Sequence, residues 1–274
     1  MKKIAFLLLL SSIGFQSLAQ GVKTPAPSPS QTIKQDFGLS SVEINYSRPS
    51  TKGRKIFGDI VPFGKLWRTG ANSATKITFI DDVKIAGKDL KAGTYQLMTI
   101  PSQNSWEILF NKGKDGVFNY HTEEDVLKVS VNSQNAAVST ESFTIQFANV
   151  TANKMDIQIA WEKTIVNIPV EVDIDSKIMS SIDKAMNIDN KPYFESASYY
   201  FETGRDLNKA LEWVNKANAA NPNAYWQFHL KAKIQAKLGD KAGAKATALK
   251  SIELAKAGKN DDYVALNEKL INSL

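Results

Sequence analysis

Residues 46–72 form the segment whose side chains are best suited to chemistry. The segment carries six lysine or arginine residues and a single acid. The guanidinium groups of Arg48, Arg54 and Arg68 present forked pairs of donors, which suit a carboxylate, a phosphate or a sulfate. Together with Lys55, they form the cationic part of a predicted binding site.

The same segment contains aromatic and neutral polar residues that could complete this site. The rings of Phe63 and Trp67 could stack on a sugar or on another flat ligand. Thr69 and Asn72 could add neutral hydrogen bonds. The sequence therefore predicts an anionic or sugar-like ligand, held by a site made of Arg48, Arg54, Lys55, Trp67, Arg68, Thr69 and Asn72.

The segment could instead have a purely structural role. A long loop folded over a sheet would pair its arginines with Asp59, Asp81 or Asp82, and its aromatic rings would seal one end of the core. The two interpretations differ in whether the guanidinium groups and the indole of Trp67 face solvent. The sequence leaves both open.

Metal and cofactor chemistry is sharply limited by composition. The chain has no cysteine and only two histidines, His121 and His229. Disulfides, thiolate zinc sites, iron–sulfur clusters and a cysteine nucleophile are excluded. His121 lies beside the three acids at 123–125, where a capped turn is favoured over a metal or acid–base cluster. His229 is predicted to pack within a helix, and we expect no metal and no cofactor.

Carboxylates support a second hypothesis, an exported hydrolase of glycans or peptides. Its catalytic acid would come from Asp59, Asp81, Asp82 or Glu107. No serine lies in a Gly-x-Ser-x-Gly elbow, and the sequence shows no complete catalytic set. A third hypothesis is a structural envelope protein without a small-molecule site. We favour a binding module over an enzyme.

The N-terminus predicts export. Residues 1–19 combine two lysines, a short apolar run and small residues before a cleavage point, as a signal peptide does. The apolar run is too short to span a bilayer, so we expect no transmembrane segment in the mature chain. A leader rich in proline and serine follows at 20–31. The predicted location is the periplasm or the extracellular medium.

The net charge of +6 at pH 7 is dispersed along the chain. Residues 21–173 carry 17 basic and 16 acidic side chains, and residues 174–274 carry 15 and 12. A nucleic-acid-binding surface concentrates positive charge on one face. We therefore expect no nucleic-acid partner.

Residues 32–173 have the alternating pattern of antiparallel strands. Apolar and polar residues alternate in short runs, which are separated by turn-forming residues such as Gly87, Gly93 and Gly113. Each such strand buries one face, so a single flat sheet would leave apolar side chains in water. This pattern predicts an antiparallel β-sandwich or barrel.

Residues 174–274 change to a helical period and predict about six helices. Asp206 and Asn223 are predicted helix N-caps, and Gly204 and Gly239 are predicted helix ends. Segments 206–210 and 240–244 are similar at an offset of 34 residues, the period of tetratricopeptide repeats. An ordinary small helical bundle is the alternative. The pattern favours a tetratricopeptide-like domain that docks a protein partner.

The β-rich part also resembles a known family, the exported bacterial proteins that carry domain of unknown function 2911. The resemblance spans roughly residues 32–173, and no activity is established for that family. It implies the fold and the export, and it implies no mechanism. The residues that carry it are Ser47-Arg48-Pro49, Lys52-Gly53-Arg54, Ile56-Phe57-Gly58, the run Val61–Asn72, Ala92–Tyr95, Ile100-Pro101 and Trp106.

Overall fold

A computed structural model describes residues 24–113 and 120–274. The chain divides into two compact units between Asp173 and Ile174. The predicted signal peptide, 1–19, and the first residues of the leader lie outside the described residues. Within the described ranges, no helix combines the length and apolar character needed to cross a bilayer.

The first unit is built on an antiparallel sheet, with nine strands in the described residues. The strand order in the sheet is β1-β2-β3-β6-β7-β8-β9-β4-β5. A short 3-10 helix, Thr122–Glu124, precedes β8. The strands are Ser30–Phe37 (β1), Ser40–Ser47 (β2), Thr75–Phe79 (β3), Val83–Ile85 (β4), Lys88–Leu90 (β5), Gly93–Pro101 (β6), Ser105–Asn111 (β7), Asp125–Ala148 (β8) and Lys154–Glu171 (β9).

The long strands β8 and β9 join the two layers of this unit. β8 pairs with β7 as far as Asn132 and with β9 from Ser133 onward. Its register shifts between Asn135 and Thr144, and Glu162 of β9 has a positive φ of 53°. Such bulges bend a strand and increase its twist. The sheet is therefore open and sandwich-like, and the predicted fold class is confirmed.

The core of the sheet follows the period-2 pattern of the sequence. Ile44, Ile77, Leu97 and Ile108 are fully buried, each on a different strand. Neighbouring residues on the same strands, such as Lys76, point outward and are exposed. Burial of these aliphatic side chains supplies the main stabilising free energy of the unit.

Two segments differ from the sequence-based expectation: the start of β1 and the connection between β3 and β4. β1 begins at Ser30, inside the stretch predicted as a leader, because that stretch pairs with β2. The adjacent acids Asp81 and Asp82 are typical of a turn and predict a hairpin tip. They link β3 to β4, which pair with other strands, so this connection crosses between the layers.

The second unit consists of six α-helices, and the predicted number is confirmed. Consecutive helices pack in pairs, with α2 on α3, α4 on α5 and α5 on α6. The helices are Asp175–Ala185 (α1), Tyr193–Glu202 (α2), Leu207–Ala220 (α3), Tyr225–Lys237 (α4), Lys241–Ala257 (α5) and Asp261–Asn272 (α6).

The helix ends follow local chemistry. Asp206 and Asp240 cap α3 and α5 with their carboxylates and lie 34 positions apart. Gly204 and Gly239 adopt positive φ angles in the turns before those caps, where a β-carbon would be strained. The predicted cap at Asn223 is wrong by one position, since Ala224 is the N-cap of α4.

Asp206→Ala should destabilise the helical unit by about 1 kcal/mol. The Asp206 carboxylate accepts hydrogen bonds from the backbone N–H groups of Asn208 (2.9 Å) and Lys209 (3.1 Å), which would lose their partner. Urea unfolding followed by helical circular dichroism measures the change. Asp206→Asn is the control, because its amide oxygen still accepts. Equal losses in both variants would contradict the capping role.

Candidate functional site

Backbone hydrogen bonds join the loop between β2 and β3 to the sheet near the start and near the end of the loop. Near its start, the Thr51 N–H donates to the Glu141 carbonyl (2.8 Å). Near its end, the Trp67 N–H donates to the Thr99 carbonyl (2.7 Å) and the Thr99 N–H donates back (2.9 Å). β3 pairs with β6 only as far as Leu97, so residues 64–67 occupy the position beside β6 that β3 leaves open.

The Glu141 side chain strengthens the first attachment. Its carboxylate accepts from the Thr51 hydroxyl and from the Lys52 N–H (2.9 Å). These two hydrogen bonds favour the charged form and lower the pKa of Glu141. The loop is therefore held to β8 by side-chain and backbone contacts together.

The rings of Phe57, Trp67, Trp106, Phe143 and Trp161 form an aromatic cluster under the loop. Trp67 stacks on Trp161 at 5.9 Å with an interplanar angle of 17°, and meets Phe143 edge to face at 5.2 Å. The indole N–H of Trp67 donates to the Gly70 carbonyl (3.1 Å). The half-buried indole of Trp67 thus packs among rings of the sheet rather than forming a free platform.

Trp67→Ala should destabilise the β unit by about 3 kcal/mol, because it removes a large ring from a packed cluster. Phe63→Ala is the matched control in the same loop, since that ring is 37% exposed. Its expected cost is below about 1 kcal/mol. Chemical unfolding followed by tryptophan fluorescence and near-ultraviolet circular dichroism compares the two. Equal stability of Trp67→Ala and wild type would contradict a packing role for this indole.

The first two arginines of the predicted site fix the loop backbone, because Arg48 bonds to β8 and Arg54 bonds within the loop itself. Arg48 donates through Nε to the Phe143 carbonyl (3.0 Å) and through Nη2 to the Thr144 hydroxyl (2.8 Å). Arg54 donates to the carbonyls of residues 50 and 51 at 2.8 and 2.9 Å. These contacts use two nitrogens of each guanidinium group and leave Nη1 of each without a hydrogen bond to the described residues.

The later site residues lie in the turn that leads into β3. Arg68 donates to the Asn72 carbonyl (2.7 Å), and the Asn72 amide donates to the Ser47 hydroxyl (3.3 Å). Thr69 is fully buried and donates to the Thr99 hydroxyl (3.1 Å). Thr69 and Asn72 have positive φ angles of 54° and 58°, so the turn is tightly constrained.

The seven predicted residues thus fall into separate local arrangements. Arg48 contacts the second half of β8, whereas Arg54 contacts the loop backbone at Ser50 and Thr51. Arg68 and Asn72 contact each other, Asn72 also contacts the end of β2, and Lys55 is exposed. In the described part of the chain, no carboxylate lies within ion-pairing distance of the three guanidinium groups. Their partners are mainly backbone carbonyls instead of the acids that the structural interpretation expected.

A cleft of about 380 Å³ opens beside the aromatic cluster. The loop, the turn between β6 and β7, and the middles of β8 and β9 contribute to its wall. Among the predicted aromatic residues, Phe63 contributes an exposed ring. The residues lining the cleft are Phe57, Phe63, Ser102, Gln103, Asn104, Trp106, Asn135, Glu162, Lys163 and Thr164.

Gly58 allows the ring of Phe63 to lie against the loop backbone. A β-carbon at this position would lie 2.7 Å from Cε2 of Phe63, and the φ angle of Gly58 is +87°. The Gly58 N–H also donates to the Val61 carbonyl (2.9 Å), which closes the turn. The orientation of Phe63 at the cleft therefore depends on a glycine at position 58.

Two features of the cleft wall are energetically unusual. Trp106 is 1% exposed, and its indole N–H has no hydrogen-bond partner among the described residues. The rings of Phe57 and Trp67 meet the Trp106 ring edge to face, with ring centres 4.9 and 6.0 Å away. The face of an aromatic ring is only a weak hydrogen-bond acceptor. Glu162 lies in the left-handed region and accepts from the Ile56 N–H (3.1 Å). Unpaired buried groups and strained backbone cluster at functional sites.

The acids considered for hydrolysis lie outside this lining. Asp82 pairs with Lys91 (2.8 Å), and Glu107 on β7 pairs with Lys128 (2.7 Å). Asp59 is exposed on the loop. Across the described residues, no group of three or more histidine, aspartate or glutamate side chains is arranged to hold a metal ion.

The two histidines have different surroundings. His121 is exposed, with Nδ1 at 3.6 Å from the Glu123 carboxylate. His229 on α4 is partly buried, and its Nδ1 is hydrogen-bonded to Oδ1 of Asn267 (2.9 Å). The Asn267 amide donates to Ser251 Oγ (2.9 Å), so its oxygen is the acceptor for His229. His229 thus takes part in a helix-packing network.

Burial disfavours the charged imidazole and lowers the pKa of His229 below its ordinary 6.5, with a smaller contribution from Lys233. As pH falls through 6.5, the unfolded chain takes up a proton that the folded helix resists. The helical unit should therefore lose stability toward acid until the folded pKa is passed. His229→Gln should weaken this loss in urea unfolding between about pH 7.5 and 5. An unchanged pH slope would mean that His229 does not cause the loss.

Several residues of the cleft were missed by sequence reasoning. Gln103 and Asn104 lie in the turn between β6 and β7, and Asn135, Glu162 and Lys163 carry no local motif. They meet at the cleft because β8 and β9 are each one long bent strand, where the sequence shows two alternating runs. The sequence signal for the bend in β8 was a break in the alternation of apolar and polar residues near 132–142.

The fold and the cleft define a two-part protein: an open antiparallel sheet covered by an anchored cationic–aromatic loop, followed by six helices. The family model described as "Protein of unknown function (DUF2911)" matches residues 28–170, just over half of the chain. The chain belongs to this family. No curated protein matches the chain. The matched range contains the whole loop and the cleft and ends before α1.

Proposed function

We propose that the protein is an exported binding module. Its β unit holds a sugar-like ligand in the cleft beside Phe63, and its helical unit docks a protein partner. The observation that carries the proposal is the cleft itself, which places an exposed aromatic ring among amide and hydroxyl side chains. Its volume of about 380 Å³ lies within the range of small-molecule sites.

The lining chemistry suits a neutral polyhydroxylated ring. Gln103, Asn104 and Asn135 each offer both a donor and an acceptor, as sugar hydroxyls require. Phe63 provides an apolar face for the C–H groups of such a ring. The aromatic cluster beside the cleft is already fixed by packing, so binding of a ligand costs little conformational entropy there.

Charge favours a sugar-like ligand over a simple anion. The cleft lining holds one cation, Lys163, and one acid, Glu162. The guanidinium groups of Arg48, Arg54 and Arg68 donate to carbonyls that fix the loop. An anion would therefore find no concentration of cations in this cleft.

Binding is also preferred to hydrolysis at this site. Glycoside hydrolysis uses two carboxyl groups about 5–10 Å apart. Glu162 is the single acid among the residues lining the cleft, and its carboxylate is engaged by the Ile56 N–H. We therefore prefer binding, and a thermal-shift screen distinguishes it from a hydrolase and from a purely structural envelope protein.

The export part rests on the sequence of residues 1–19 and on a chain without cysteine, which suits an oxidising compartment. The docking part rests on the helical pairs and on the matched caps of Asp206 and Asp240, 34 positions apart. Stacked pairs of this period are typical of tetratricopeptide-like repeats, which bind proteins through their surfaces.

A thermal-shift screen of the mature chain with neutral oligosaccharides tests the β-unit site. A ligand at about 100 times its Kd adds about 2.7 kcal/mol to the stability of the unit that binds it. Phe63→Ala and Asn104→Ala should abolish the shift. Leu66→Ala is the matched control, since Leu66 is a 38% exposed apolar residue of the same loop outside the cleft lining.

Other outcomes would overturn the proposal. A shift produced by polyanions and lost in Arg68→Ala would place binding at the arginines. Release of reducing sugar that is lost in Glu162→Gln would indicate a hydrolase. A shift that survives Phe63→Ala and Asn104→Ala would place the ligand elsewhere. No shift with either ligand class would favour the structural role.

A further inference from the structure

We propose that a cleft in the helical unit, between α1 and α3, binds an acidic peptide segment of the partner. This inference rests on the docking role proposed above and is independent of the β-unit site. The cleft measures about 430 Å³. Lys191, Lys209 and Lys216 lie along its wall, and Asp183 is the single acid there.

Aromatic rings hold two of these lysines in place. Nζ of Lys209 lies 5.0 Å from the ring centre of Trp213, and Nζ of Lys216 lies 5.4 Å from that of Tyr193. A ring face orients an ammonium group without neutralising it. Lys216 also contacts the Glu212 carboxylate at 2.5 Å, so its charge is partly shared, whereas Lys209 has no carboxylate partner in the described residues.

The cleft combines this positive charge with an apolar base. Trp213 is 6% exposed and Ile182 is 7% exposed, and Met186 adds a flexible side chain. Cations around apolar side chains suit a peptide that carries acidic residues beside an aliphatic one. A phosphate or a lone carboxylate would use the lysines and leave the apolar base uncovered, so a peptide fits better.

Fluorescence anisotropy with the full mature chain tests the site. The probe is a short labelled peptide in which glutamate alternates with leucine. Lys209→Gln combined with Lys216→Gln should weaken its binding about tenfold. Lys245→Gln combined with Lys256→Gln on α5 is the control, because it removes the same charge from exposed positions away from the cleft. Asp183→Asn should tighten binding, because it removes the opposing acid.

Specific recognition at this cleft differs measurably from a general charge effect. Equal weakening by the α5 control would mean that only net charge matters, and equal binding of a glutamine–leucine peptide would mean that charge does not matter. Either result, or no binding by wild type, overturns the proposal. Preferential binding to anionic vesicles would overturn it in favour of a membrane surface. If peptide binding fails this test but the lysine variants still bind oligosaccharide, the proposal for this cleft is wrong and the proposed β-unit site is unaffected.

Discussion

Packing of the aromatic cluster under the loop is the interaction on which the β unit depends. Each of five rings from the loop, β7, β8 and β9 has its centre within about 6 Å of at least two others, and Trp67 is stacked on Trp161. Edge-to-face and offset contacts of this kind stabilise more than their buried area alone. A long connection that would otherwise cost conformational entropy is thereby fixed over the sheet.

The same constraint explains the behaviour of the loop's charged residues. An ordered loop and the strand beneath it must satisfy their carbonyl groups. Arg54 and Arg68 donate to carbonyls of the loop, and Arg48 donates to the Phe143 carbonyl of β8. Their role is therefore first to hold the backbone. The cleft arises next to this fixed structure, where Phe63 lies on Gly58 and the strands bend at Glu162.

The two units are stabilised by different kinds of contact. The sheet relies on contacts between residues far apart in the chain. For example, the Tyr46 hydroxyl donates to the Ile145 carbonyl and accepts from the Ile145 N–H, both at 3.0 Å. The helical unit relies on neighbours in sequence, on caps such as Asp206 and on a buried polar network at Asn267. The ligand site that we propose lies on the sheet, and the docking surface that we propose lies on the modular helical unit.

Local patterns in the sequence determined the class of each unit, the helix number and the cap at Asp206, because side-chain period and capping act within a few residues. The motifs between Ser47 and Trp106 also determined the family. Tertiary structure alone decided that β8 serves both layers, that carbonyls bind the arginines, and that Asn104, Asn135 and Glu162 share a cleft. These outcomes depend on strand pairing and bending between distant segments, which no local pattern encodes.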